Sequence, residues 1–249
     1  MPPESPVEWI SATLPKKGNR AGENEDAAAA APGGPRFAVC DGATEAWESG
    51  PWAKHLATAY ARRAPAPDTF AAWLGQARGA WAPATAAGEA AWYAAEKQEQ
   101  GAFATLLGVE LRPSQARPGE WGWKAVAVGD SCLVHVRGEV VEAAFPLSSP
   151  AAFGTRPALV PSAAEAECPE PEWLAGRAAA GDLILLATDA AAAALLDPGR
   201  LAAALAATRD ALRDRDRAPL LAWFRDVQDA VNDDVTLIAV RLPAAPEVS

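Results

Sequence analysis

Four times in this chain a short apolar run, of the length and composition of a buried strand, stops at an aspartate or sets out from one. Phe-Ala-Val-Cys leads into Asp41, Ala-Val-Ala-Val-Gly into Asp130 and Leu-Ile-Leu-Leu-Ala-Thr into Asp189, while Asp233 comes just before Val-Thr-Leu-Ile-Ala-Val. Runs this short and apolar are read as strands covered on both faces. Strands packed in a layered sheet deliver their end residues to a common rim, so acids far apart in sequence are expected to meet. A fifth acidic site, Glu25 with Asp26, precedes Ala27 to Ala31, a stretch readable as a strand despite the poor propensity of alanine.

Further strands are expected at Val7 to Leu14, Gly101 to Leu111, Trp121 to Val128, Cys132 to Val136 and Val140 to Phe145, with Gly138 and Glu139 turning a hairpin between the last two. Helices are expected between and after these groups. Pro51 marks a first helical turn behind Ser49 and Gly50 as caps, and Trp52, Leu56 and Tyr60 share one face. Asp68 to Trp81 and Gly88 to Lys97 also read as helical, and Pro198 opens a helix to about Arg213 with a charged, solvated face. Leu220, Trp223, Phe224, Val227 and Val231 keep helical spacing, with Arg225, Asp226, Gln228 and Asp229 on the other side and Asn232 as the stop. Arg117 to Trp121 and Pro157 to Pro171 read as loops. Strands in two groups with helices collected between and after them predict an α+β layered fold, one domain over residues 1–249 with its core at about 7–242.

Composition removes several classes of function. A formal charge of -10 leaves no electrostatic footprint for a nucleic-acid backbone or an anionic membrane face. The first residues carry no basic, apolar leader, and no run is long enough to span a bilayer, so a soluble cytoplasmic protein is expected. Cys40, Cys132 and Cys168 are too few and too scattered for a disulfide framework or a cysteine zinc site. With only His55 and His135, a histidine-based triad has little supply. Alanine is heavily used and buries little area, so the 10 tryptophans are expected to supply core bulk. No GxGxxG or GxxxxGK[ST] stretch occurs, which leaves dinucleotide and P-loop chemistry without support.

What remains is carboxylate chemistry. Several carboxylates on a partly buried rim repel one another and must take up protons or a cation. Oxygen donors alone favour a hard ion, Mg²⁺ or Mn²⁺ before Zn²⁺. The order of motifs then carries a resemblance: Asn24-Glu25-Asp26-Ala27, Asp41-Gly42, Gly101-Ala102-Phe103-Ala104-Thr105, Gly129-Asp130-Ser131, Ala187-Thr188-Asp189-Ala190 and Asp233-Asp234-Val235-Thr236. From Val7 to Leu242 the chain resembles the metal-dependent serine/threonine phosphatases of the protein phosphatase 2C (PPM) family, in the short bacterial form with DGATE at residue 41.

The resemblance implies a four-layer α-β-β-α sandwich, two antiparallel sheets flanked by helices, with a dinuclear Mn²⁺ or Mg²⁺ centre at the sheet edge. It implies that Asp41 bridges both ions, that the Gly42 carbonyl binds one, and that Asp189 and Asp233 bind the other. Glu25 and Asp26 would reach the ions directly or through water, and Asp130 would serve a third, weaker ion. The implied reaction is hydrolysis of phosphoserine or phosphothreonine in proteins by a metal-activated water, with Asp41, Asp189 and Asp233 as the residues that carry it. The implied partner is a phosphoprotein made by a serine/threonine kinase, and a monomer is expected. Thr105 and Ser131 would be structural.

Three positions depart from the family pattern. Ala43 stands where relatives carry a proton-donating histidine. Ala21 stands where they carry a phosphate-binding arginine, with Arg20 one position away as the substitute. Cys132 replaces an arginine after Gly-Asp-Ser. Two other classes compete with the enzyme: a catalytically silent phosphatase-like module used for binding or regulation, and a structural Ca²⁺ site without turnover.

Overall fold

The computed structural model describes residues 7–32, 34–43, 48–85, 101–154 and 156–243. One five-stranded antiparallel sheet is built from β1 (Glu8–Leu14), β7 (Cys132–Arg137), β8 (Val140–Phe145), β11 (Leu183–Ala187) and β12 (Val235–Arg241), in the order β1-β12-β11-β7-β8. A second contains β2 (Ala27–Ala30), β3 (Arg36–Cys40), β5 (Leu106–Pro113), β6 (Glu120–Val128) and β10 (Glu172–Ala179), in the order β10-β6-β5-β3-β2. The short strands β4 (Phe103–Ala104) and β9 (Val160–Pro161) pair with each other. The helices are α1 (Ser49–Arg62) and α2 (Phe70–Thr85), then α3 (Asp189–Leu196), α4 (Pro198–Asp214) and α5 (Ala218–Gln228).

The sheets stack face to face with helices outside each, the α-β-β-α sandwich that the family resemblance implied. Side-chain alternation explains the stacking. Along β11, Leu183, Leu185 and Ala187 face the core shared with α3, α4 and α5, whereas Ile184 and Leu186 face the core between the sheets. Along β12, Val235, Leu237 and Ala239 take the helix side and Ile238 and Val240 the inter-sheet side. On β3 the split is Ala38 and Cys40 toward α1 and α2, Phe37 and Val39 toward the other sheet. Each large side chain so buried contributes about 1.5–3 kcal/mol, which is why these runs carry no polar alternation.

Most of the expected elements form. The alanine run is strand β2, paired to β3 from Ala27↔Cys40 to Ala30↔Phe37, and Gly138 turns the β7–β8 hairpin at φ 58°. Differences cluster at element ends and on exposed edges. Helix α1 starts at Ser49, so Ser49 and Gly50 lie inside its first turn and Glu48 is the capping residue, its carbonyl accepting from Trp52 N at 3.1 Å. Pro51 is tolerated there because the first-turn N–H groups have no helical acceptor. Helix α5 ends at Gln228, which leaves Val231 52% exposed beyond it. Gln228, expected outside, is buried, and its amide donates to the carbonyls of Pro15 and Asp233 at 3.0 and 2.9 Å. Trp9 is 43% exposed on edge strand β1 although it meets Phe37 edge-on at 5.7 Å. The strand β10 was not expected, and β6 starts inside the presumed loop at Glu120. The expected helix from Gly88 to Lys97 lies outside the described residues. Among those residues no single helix is long and apolar enough to cross a membrane.

Candidate functional site

The two sheets end side by side at one rim, and the expected acids sit there. Asp41 directly follows β3, Asp130 lies in the turn from β6 to β7, Asp189 opens α3 one residue past β11, and Asp233 precedes β12. Glu25 and Asp26 precede β2. Asp41 is held by its backbone: its N–H donates to Thr105 Oγ1 at 2.9 Å, its carbonyl accepts from Thr105 N at 2.8 Å, and Thr105 and Ser131 share a hydroxyl contact at 2.8 Å. Thr105 thus braces the Asp41 backbone, and Ser131 braces Thr105.

Gly42 is obligatory for a steric reason. A Cβ there would lie 2.7 Å from the Ser49 backbone carbon and 2.9 Å from the Glu25 carbonyl oxygen, and its own N–H already donates to that oxygen at 3.2 Å. The close approach locks the Glu25 turn, the Asp41 turn and the start of α1 together.

Charge ties the acids into one site. The Asp41 carboxyl is pushed well above the usual carboxylate range, first by burial and then by the charges of Asp26, Asp189, Asp233 and Asp130. Burial raises Asp189 to about 6, with Asp130 and Asp233 adding to it. Asp26 is pushed up to about 8, again mainly by burial, against the lowering effect of hydrogen bonds from Thr188 and Thr236, and with Asp234 and Asp189 adding repulsion. Asp130 is raised by burial and by Asp233. Five expected positions, Asp26, Asp41, Asp130, Asp189 and Asp233, are thus linked electrostatically, each of the other four acting on Asp41.

Their chemistry fits a hard cation. All are oxygen donors, and Asp130 Oδ1 is buried with no hydrogen-bond partner among the described residues, an acceptor with its lone pairs unused. As the side chains stand, no three His, Cys, Asp or Glu groups among the described residues are close enough together to hold one ion. The strands fix the positions of the acids, and rotation about side-chain bonds would be needed to bring three of them onto one ion. Glu25 is turned toward Lys16, 3.8 Å from its ammonium. Arg20 is exposed, and its side chain makes no hydrogen bond or ion pair among the described residues, although its N–H donates to Glu23 Oε2 at 2.6 Å.

Sequence reasoning missed the residues that hold the rim together. Asp234 accepts the N–H of Lys16 at 2.7 Å through one oxygen and that of Glu25 at 2.8 Å through the other, so it joins the β12 end to the two N-terminal turns. Thr188 donates to Asp26 Oδ2 at 2.8 Å and accepts from Thr236 N at 3.0 Å. The doublet Asp233-Asp234 was the available signal, since a second acid beside an expected ligand is free to brace the neighbouring turns. Cys132 is buried, with its thiol donating to the Asp130 carbonyl at 3.2 Å and burial pushing it up to about 12, so it supplies no nucleophile. His55 is packed rather than catalytic: Nε2 lies 2.9 Å from the Ala77 carbonyl and the ring stacks on Trp52.

No family model matches the sequence, and no curated protein matches it. Solved structures do match the fold. PppA, described as a key regulatory component of the type VI secretion system in Pseudomonas aeruginosa, is 22% identical with a TM-score of 0.59, over 95% of this chain and 98% of that one. The PPM Ser-Thr phosphatase MsPP of Mycobacterium smegmatis, in complex with cacodylate, is 19% identical with a TM-score of 0.58, over 94% and 97%. The catalytic domain of the serine/threonine phosphatase PstP with two manganese ions is 17% identical with a TM-score of 0.60, over 95% and 99%. The chain has the fold of the bacterial PPM serine/threonine phosphatases along nearly its whole length.

Proposed function

We propose that this chain hydrolyses phosphoserine and phosphothreonine in proteins, using Mn²⁺ or Mg²⁺ held on the acidic rim. The observation that carries the reading is the placing of Asp26, Asp41, Asp130, Asp189 and Asp233, from five separate chain segments, at one rim where their charges act on one another. Such a group stabilises nothing by itself; it costs free energy until a cation neutralises it. The manganese pair in the PstP catalytic domain, which has the same fold, supports the assignment of two ions, with Asp130 available to a third.

On this reading Asp41, the Gly42 carbonyl, Asp189 and Asp233 hold the ions, and Glu25 and Asp26 complete the set. A bound pair of such ions lowers the pKa of water and clamps phosphoryl oxygens for in-line displacement. The chain's own groups do the rest. Thr105 fixes the Asp41 backbone, and Asp234 fixes the turn that presents Glu25. The Lys16 ammonium beside Glu25, and the Arg20 guanidinium on the same turn, supply the cations available to a phosphoryl dianion. Ala43 offers no proton to the leaving group. A monomer in a reducing cytoplasm, acting on the product of a serine/threonine kinase, is the setting we propose; Cys40, Cys132 and Cys168 are all free thiols.

The test is hydrolysis of 4-nitrophenyl phosphate and of phosphoserine peptides with Mn²⁺, Mg²⁺ or Ca²⁺. Activity is expected with Mn²⁺ or Mg²⁺ and not with Ca²⁺, and Asp41→Asn and Asp189→Asn should each lower it by about 100-fold or more, beyond the effect of disturbing a residue behind a ligand. Turnover surviving both substitutions removes the metal assignment, and no turnover with any of the ions leaves a phosphatase-like binding module.

A further inference from the structure

The far end of the β5–β6 pair carries a cleft of the opposite charge. Arg112 on β5 lies opposite Gly122 on β6, and Gly122 lies opposite Arg177 on β10. Residues directly opposed across neighbouring strands share a face, so the two arginines flank a position with no side chain. Two strand spacings separate them, about 10 Å between their Cα atoms. A Cβ added at Gly122 would meet only the Arg112 carbonyl oxygen, at 3.9 Å, so the gap is open. The β5–β6 loop brings Arg117 to the same place, and a cavity of about 400 Å³ lies between these residues, with Trp121 in its wall.

The surrounding charges do not cancel this. Arg112 donates to Glu110 at 3.0 Å and Arg117 to Glu120 at 3.2 Å, while Arg177 makes no ion pair among the described residues. The next row toward the rim, Arg36–Glu110–Lys124, adds two cations and only the carboxylate already counted. Arg112, Arg117 and Arg177 in the cleft, with Lys124 one row away, therefore outnumber the carboxylates of Glu110 and Glu120, on a chain whose net charge is -10, while Arg36 donates to the Ala61 and Arg62 carbonyls. Guanidinium-bearing residues on both sides of a bare glycine suit an oxyanion with several equivalent oxygens, which Arg177 can take in two parallel hydrogen bonds and Arg112 on turning from Glu110. The cleft lies six residues along β5 from Leu106, about 20 Å at the rise of a strand, so one phosphoryl group cannot touch both it and the acidic rim.

We propose that the Arg112–Gly122–Arg177 cleft is a second binding site, specific for a phosphoryl oxyanion and separate from the acidic rim. The anion comes either from free phosphate or from a phosphorylated side chain of a bound protein. The site does not depend on turnover at the rim.

Amide-resolved NMR titration of the full chain separates the two places on the molecule. Inorganic phosphate, and separately a phosphoserine peptide, should shift the Gly122 and Arg177 signals saturably. The Arg112→Glu/Arg177→Glu double variant should weaken that response by about tenfold or more, the equivalent of about 1.4 kcal/mol, as expected for losing a charge-assisted hydrogen bond. Any shifts at Asp41 and Asp189 should stay as in the parent, and so should 4-nitrophenyl phosphate hydrolysis if the rim is active. Arg177→Gln serves the same comparison if the double reversal does not fold. Tighter binding of the peptide than of phosphate identifies a phosphoprotein as the source, and the reverse identifies free phosphate. Absence of a saturable shift at Gly122 with either probe, or a shift unchanged in the variants, overturns the proposal.

Discussion

Asp189→Asn should make the metal-free chain more stable while removing the phosphatase activity proposed for it. The Asp189 carboxyl is held at about 6 in the folded chain, against 3.8 for an ordinary aspartate. Ionising it in the fold at pH 8 therefore costs about 3 kcal/mol more than ionising it in the unfolded chain. Asparagine carries no charge to repel Asp130 and Asp233, and its Oδ1 can keep the bond from Ala190 N, which the aspartate accepts at 2.5 Å. Allowing for lost solvation and coupling among the rim acids, a gain of about 1–3 kcal/mol remains at pH 8, a rise of roughly 3–9 °C in Tm for a chain of this size. The sign with pH is fixed. A carboxyl raised in the folded state binds its proton there first, so its contribution to stability is full below about pH 4 and is lost as pH rises through 6. The advantage of the variant should accordingly vanish toward pH 4. Thermal melts in a chelator between pH 4 and 8 read this directly, and added Mn²⁺ should reverse the order by stabilising the parent more. A variant equal to or less stable than the parent at pH 8 in chelator refutes the charge-coupled rim.

Gly42→Ala places a methyl 2.7 Å from the Ser49 backbone and should destabilise by about 1–3 kcal/mol, seen as a lower urea midpoint with lost activity; an unchanged midpoint contradicts the packing of the three turns. Asp182 is 3% exposed and accepts from His135 at 2.8 Å, from Arg137 at 3.1 and 2.8 Å and from Ala179 N at 2.8 Å. Removing it in Asp182→Ala strands these donors, and chemical denaturation should report a loss of about 3–5 kcal/mol. Arg20→Ala and Lys16→Ala, compared in steady-state kinetics, should raise KM for 4-nitrophenyl phosphate more than they lower kcat if either cation grips the phosphoryl group.

The sequence was legible where burial leaves one solution. Leu183–Ala187 and Val235–Leu242 read as strands because both of their faces are covered, and the aspartates at their ends were legible for the same reason. Legibility failed where a residue serves backbone rather than core. Gln228 fits the polar side of α5 by periodicity, yet its amide closes the carbonyls of Pro15 and Asp233. Asp234 was overshadowed by its neighbour, because an acid that braces two turns has no pattern distinct from one that faces a ligand. The strand β10 left little trace, since it is an edge strand whose only buried residue is Ala178. Trp9 shows the converse: its size suggests a core, while its place on an edge strand leaves one face wet.

Strand β12 lies between β1 and β11, with Thr13 opposite Thr236 and Ala187 opposite Leu237, and it brings Asp233 and Asp234 with it. A nascent chain that has not yet released residues 233–241 from the ribosome already possesses Asp41, Asp130 and Asp189, but not the brace that seats Lys16 and Glu25. Pairing across more than two hundred residues is slow to nucleate. Assembly of the rim therefore waits until residues 233–241 are free to pair between β1 and β11.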